Sequence, residues 1–106
     1  MARREIQVSE TIAHLAAEFL ARESSVPSLI TVTHADMSPD LKQATIFISV
    51  LPQTQEAEAL AFAKRSRSDL RTYIRDKSFI HPTPVVDFVI DYGEKNRQRV
   101  DELTRS

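Results

Sequence analysis

The sequence predicts an α+β fold, a three-stranded sheet with helices packed on one face. Three observations carry that expectation. Apolar residues near the start recur at helical spacing. Alternating, β-branched runs follow from Leu29 to His34, from Ala44 to Leu51 and from Val85 to Tyr92, and a helix-forming stretch separates the second run from the third. A chain of 106 residues buries one sizeable core, so a single domain over residues 1–106 is expected.

Val8, Ile12, Leu15 and Phe19 step by 4, 3 and 4, the repeat of one helical face, while Glu10, Glu18 and Arg22 fall elsewhere. This first helix should stop in Ser24-Ser25-Val26-Pro27, because proline restricts the residue before it and cannot continue a hydrogen-bonded turn. In the first strand Ile30 and Val32 alternate with Thr31 and Thr33, as a half-buried strand requires. Met37-Ser38-Pro39-Asp40 has turn chemistry. The second strand puts Ala44, Ile46, Ile48 and Val50 on one side and Thr45, Phe47 and Ser49 on the other. The link between the two is too short for a crossover, so they should pair antiparallel.

Pro52 closes the second strand. Thr54 is the candidate cap of a second helix from about Gln55, with Glu56 and Glu58 suited to its first turn. Ser66 and Ser68 mark a bend, after which Leu70, Tyr73 and Ile74 form the apolar face of a third helix. Pro82 and Pro84 exclude helix, and Val86, Phe88, Ile90 and Tyr92 then alternate against Asp87 and Asp91 in the third strand. Gly93, the single glycine, ends it. Glu94 to Ser106 reads as a short C-terminal helix held by Val100 and Leu103. The sheet face carrying Thr45, Ser49, Asp87 and Asp91 is expected to face solvent.

Composition narrows the function. Apolar residues at 42% and charged residues at 27% describe a globular domain rather than a disordered tail. With no cysteine there is no disulfide framework, thiolate zinc site or cysteine nucleophile, which fits a reducing cytoplasm. Met1-Ala2-Arg3-Arg4-Glu5 leads into no apolar run, so neither a secretory signal nor a membrane span is expected. One glycine cannot build a phosphate-binding loop of the G-x-x-x-x-G-K or G-x-G-x-x-G kind. His14, His34 and His81 fall in different elements without metal-ligand spacing, and no metal or cofactor is expected. Asp87 and Asp91 share a strand face as paired acid–base carboxylates would. Without a nucleophile or oxyanion donors beside them, they read as a solvated face.

The net charge of −1 gives no bulk attraction for nucleic acid, so distribution decides. Lys64, Arg65, Arg67, Arg71, Arg75 and Lys77 stand against only Asp69 and Asp76, a local +4 that leaves −5 for the rest of the chain. Lys64, Arg67, Arg71 and Arg75 step by 3, 4 and 4 and would line one helical face. One reading is a stripe that follows RNA phosphates. The other is a solvated helix face, with the bend at Ser66 to Ser68 shifting Lys64 out of phase.

Three stretches together resemble the ribosome-binding factor A family of bacterial small-subunit assembly factors. They are Met37-Ser38-Pro39-Asp40-Leu41-Lys42-Gln43-Ala44-Thr45-Ile46-Phe47-Ile48-Ser49, then Asp69-Leu70-Arg71, then Pro84-Val85-Val86-Asp87-Phe88-Val89-Ile90-Asp91. With the first helix the likeness spans roughly residues 4 to 92 in the same order. It implies a KH-like domain of type II order, helix-strand-strand-helix-helix-strand, which agrees with the order read from pattern. It also implies a non-catalytic protein that binds small-subunit ribosomal RNA late in assembly, near the neck and the RNA's 5′ end. Family members replace the KH phosphate-clamping G-x-x-G by a helix kink, typically Ala-x-Gly, where this chain reads Ser66-Arg67-Ser68. Serine lacks glycine's access to positive φ, so either the kink is shallower or a serine hydroxyl caps the following helix. Near-neutral charge and the lack of a long charged C-terminal tail are further departures.

The expected function is therefore a cytoplasmic RNA-binding factor for the small ribosomal subunit. It should act as a monomer without a membrane or small-molecule substrate. Its candidate RNA-binding residues are Lys64, Arg65, Arg67, Arg71, Arg75 and Lys77. Of these only Arg71 lies within a matched motif; the others rest on local charge. The competing expectations are a protein–protein interaction module of the same fold, docking through a sheet edge or the C-terminal helix, and a small hydrolase using His81 with Asp87 or Asp91.

Overall fold

The helical repeat at the start of the chain becomes α1, Arg3–Glu23. The computed structural model describes residues 3–23 and 29–93, with Arg3 in its backbone alone. The expected stop in Ser24 to Pro27 and the C-terminal helix over Glu94 to Ser106 lie outside the described residues. α1 buries Ile12, Leu15, Ala16, Phe19 and Leu20, a wider stripe than the four-residue face read from spacing, and leaves Val8 half-buried.

β1 (Leu29–Met37) and β2 (Gln43–Leu51) pair antiparallel, from Leu29 opposite Leu51 to Met37 opposite Ala44. Their turn is closed by side chains. Asp40 accepts from the Ser38 hydroxyl at 2.6 Å and from the Lys42 N–H at 3.1 Å, and Leu41 stands at φ 61°. β1 outruns the strand expected to finish at His34, and the reason is a shift of register between Val32 and His34 that leaves Thr33 without a ladder partner. One extra residue reverses the facing of everything after it. Ala35 therefore points into the core, and His34 lies on the open face, stacked on Phe47 with ring centroids 4.2 Å apart and planes 9° from parallel.

After β2 a single 3-10 turn, Gln53–Gln55, leads into α2, Glu56–Arg65. The N-cap is Gln55 and makes no side-chain cap bond, so the Thr54 cap is not formed. The extra turn places Thr54 one residue too early, and the Gln55 N–H donates to Pro52 O at 2.9 Å. α3 runs Arg67–Lys77, and β3, Val85–Ile90, then lies parallel to β2, from Gln43 opposite Val85 to Ile48 opposite Ile90. A parallel return needs a long crossover, which α2 and α3 supply.

The sheet order is β1-β2-β3, with β2 central and hydrogen-bonded on both sides. Alternate residues Ala44, Ile46, Ile48 and Val50 of β2, and Val86, Phe88 and Ile90 of β3, are buried against α1, α2 and α3. The α+β order and the one-sided helix layer are as the pattern predicts. β3 is shorter than expected: it ends at Ile90, and Tyr92 is exposed rather than on the core face. Among the described residues no helix is long and apolar enough to cross a membrane.

Candidate nucleic-acid interface

α2 and α3 meet at Ser66, whose backbone sits at φ −92° and ψ 3°. Its N–H is shared between Phe62 O and Ala63 O at 3.1 Å, and its carbonyl accepts from the Leu70 N–H at 2.9 Å, so one residue ends one helix and opens the next. A negative φ in the bridge region is open to any L-residue, and this break has no need of glycine. The Ser66 hydroxyl donates back to Phe62 O at 3.0 Å. It closes α2, and Ser66 makes no side-chain cap bond to α3, which corrects the expectation that a serine hydroxyl caps the later helix.

The six cations part into two groups around this break. Lys64 Nζ and Arg67 Nη1 converge on the same Asp87 oxygen, at 3.0 and 3.2 Å, while Arg67 Nε donates to Lys64 O across the junction. Burial works to raise the Asp87 pKa. The Lys64 hydrogen bond, the Phe88 N–H at 2.8 Å and the charges of Lys64 and Arg67 outweigh it and hold the carboxyl below its usual range. Asp87 is thus an ionised anchor for two cations, not part of a bare solvated face. Arg65 is exposed in the last turn of α2.

Further along α3 the setting differs. Arg71, Arg75, Ser68 and Thr72 line a cleft of about 360 Å³ with His81 and Thr83 from the α3–β3 connection, and among the described residues no carboxylate lines it. Arg71 Nη2 donates to the neutral Thr83 carbonyl at 3.0 Å. Arg75 meets its exposed neighbour Asp76, with Nε 3.4 Å from the carboxylate, a contact of a kind that adds little in water. Arg71 and Arg75 are four residues, about 6 Å, apart along the helix. Lys77 stands over the Tyr73 ring at 5.8 Å. Sequence reasoning singled out His81 only as a hydrolase candidate and did not name Thr83, since nothing in the spacing of a proline-bounded loop aims it at α3.

Asp91 has left the strand and is held by β1. Thr33 Oγ1 donates to its Oδ2 at 2.6 Å, and His34 Nδ1 is 3.6 Å from the same oxygen. The pairing of His81 with Asp87 or Asp91 that a hydrolase would use is not assembled, because both carboxylates have other partners and His81 lies with the arginines. Among the described residues no three His, Asp or Glu side chains converge to hold a metal ion.

Helix, two strands, two helices and a strand, on a mixed three-stranded sheet with one face open, define a KH-like α+β domain. A family model described as ribosome-binding factor A matches residues 4–104, and the chain belongs to that family. Ribosome-binding factor A of Thermobifida fusca is 32% identical over 105 residues, covering 96% of this chain and 70% of that protein. The crystal structure of ribosome-binding factor A from Thermus thermophilus superposes with a TM-score of 0.72 at 17% identity, over 81% of this chain and 94% of that one. Also similar are the coordinates of a Thermus thermophilus ribosome binding factor A homology model as fitted into a cryo-EM map of a 30S-RbfA complex. They give a TM-score of 0.65 at 18% identity over 85% of this chain and 93% of that one.

Proposed function

We propose that this chain is a non-catalytic assembly factor that binds small-subunit ribosomal RNA and aids late maturation of the small ribosomal subunit. It would work in the cytoplasm as a single-domain monomer, without cofactor or small-molecule substrate. The observation that carries the RNA contact is the cleft along α3, where Arg71 and Arg75 share a polar, carboxylate-free wall with His81 and Thr83. Guanidinium groups a helical turn apart on an exposed face suit successive phosphate oxygens, which they bind bidentately. Family membership, and a relative fitted in a complex with the 30S subunit, support the small subunit as the partner. In this reading Arg71 and Arg75 are the principal phosphate contacts, Lys77 at the end of α3 and Arg65 at the end of α2 add exposed charge, and Lys64 and Arg67 contribute less because Asp87 holds them.

The test is sedimentation of the tagged protein against free small subunits and whole ribosomes over a salt series. Enrichment with free small subunits, weakening steeply as salt rises, is the expected result. Binding indifferent to salt, or association only with another protein, would replace this reading by the interaction module.

A further inference from the structure

Phe79 is fully exposed on the connection between α3 and β3, the most exposed of the large apolar side chains among the described residues. It follows Lys77 and Ser78 and precedes Ile80, which packs against the core, so the connection is anchored on one side of the ring. The Ser78 hydroxyl donates to Ile74 O at 2.7 Å and accepts from the Ile80 N–H at 3.3 Å, fixing the other. An aromatic ring held out in water on a fixed connection gains nothing from burial, and its apolar face is unpartnered.

Beside it lies a cleft of about 560 Å³ between the first turns of α1, the β1–β2 turn and this connection, with Arg4, Lys77 and His81 among its lining residues. Its one carboxylate among the described residues, Asp40, has Oδ1 bonded within the β1–β2 turn by the Ser38 hydroxyl and the Lys42 N–H. His81 lines this cleft and the Arg71–Arg75 cleft alike. His81 thus joins two neighbouring clefts, one lined by Arg71 and Arg75 and the other by Arg4, Lys77 and Phe79.

We infer that these two clefts hold an unpaired RNA strand, with a base stacked on Phe79 and its flanking phosphates on Arg4 and Lys77 on one side and on Arg71 and Arg75 on the other. The inference rests on the proposed RNA-binding role and specifies its ligand. Duplex RNA keeps its base faces inside the stack and offers Phe79 nothing, whereas a single strand presents both a π-face and a charged backbone. Recognition of this kind tolerates sequence, because every base has a face to stack. The Ser66 break takes no part in it.

The experiment measures full-length protein binding to a labelled, unstructured mixed-sequence oligoribonucleotide of about 12 nucleotides, within the range of single-strand site sizes, and, in parallel, to purified small subunits. Phe79→Ala should weaken oligonucleotide binding about 5- to 150-fold, the range of one base–aromatic stack. Phe79→Tyr should restore it, and the melting temperature should not move, since the side chain buries nothing. A hairpin stem of the same length should compete poorly. Wild-type binding of small subunits together with Phe79→Ala binding of the oligonucleotide at wild-type strength would overturn the stacking role and leave the proposed function standing. A Phe79→Ala loss seen with subunits but not with the oligonucleotide would also overturn it, assigning Phe79 to a protein contact. Failure of the wild-type protein to bind small subunits would withdraw the proposed function and this inference together.

Discussion

Lys64 and Arg67 at the Ser66 break and Arg71 and Arg75 further along α3 are two pairs of cations of the same charge, yet their surroundings make them different residues. Lys64 and Arg67 share one oxygen of Asp87, so their charge is largely matched from within the fold. Arg71 and Arg75 meet a neutral carbonyl and an exposed neighbouring carboxylate. Charge density along a sequence therefore overstates what a helix offers an anion. What counts is the charge left after neighbouring strands have taken their share, and β3 takes its share only from the residues near the break.

The largest effect expected makes no distinction between the two groups. Phe88 is fully buried beneath both helices, and Phe88→Ala should cost about 3–5 kcal/mol, a large part of a small domain's stability. Denaturant titration checks this, and loss of small-subunit binding should track the unfolded fraction. An unchanged midpoint would mean that β3 does not carry the core.

Next in size is the contrast between double charge reversals. Arg71→Glu with Arg75→Glu should weaken small-subunit binding by roughly 100-fold or more without changing the thermal midpoint, because both side chains are exposed. Lys64→Glu with Arg67→Glu should weaken binding less and lower stability, since it turns the Asp87 anchor into a cluster of like charges. Equal losses of binding from the two pairs would break the comparison and return the site to the whole stripe.

Smaller again are the single substitutions. Arg71→Ala and Arg75→Ala should each flatten the dependence of log affinity on log salt by about 0.7 to 1, uniformly across RNA sequences, because a phosphate contact positions without specifying. Lys64→Ala should change that slope less.

The smallest effect lies at Asp87. Its folded pKa is below the ordinary value of 3.8, so its contribution to stability is present above that value and is lost as pH falls through the lower, folded one. With its side chain 46% exposed, screening limits the contribution to about 1 kcal/mol or less. Asp87→Asn should remove this acid dependence below about pH 4 and, by freeing Lys64 and Arg67, strengthen RNA binding a few-fold at neutral pH. Acid titration followed by circular dichroism and a binding series at one salt concentration measure the two. Weaker binding in Asp87→Asn would show that Asp87 orients the two cations rather than withholding them.

The sequence by itself determined the order of elements and the composition of the core, because helical and strand repeats are local and burial enforces them at Ile12, Leu15, Phe19, Ile46, Ile48, Phe88 and Ile90. It also located the helix break, since Ser66 interrupts the apolar phase on its own. The antiparallel pairing of β1 with β2 was legible in their short link, but the register was not. The bulge at Thr33 turned His34 out and Ala35 in, because a ladder shift depends on the partner strand and leaves no mark in the strand's own alternation. Asp87 looked free because its partners lie 20 and 23 residues away in sequence, and the Arg71–Arg75 cleft needed His81 and Thr83 brought in from the crossover. Only the tertiary structure could decide which cations stay available, because Coulomb energy depends on distance in space and the chain's return through β3 sets that distance.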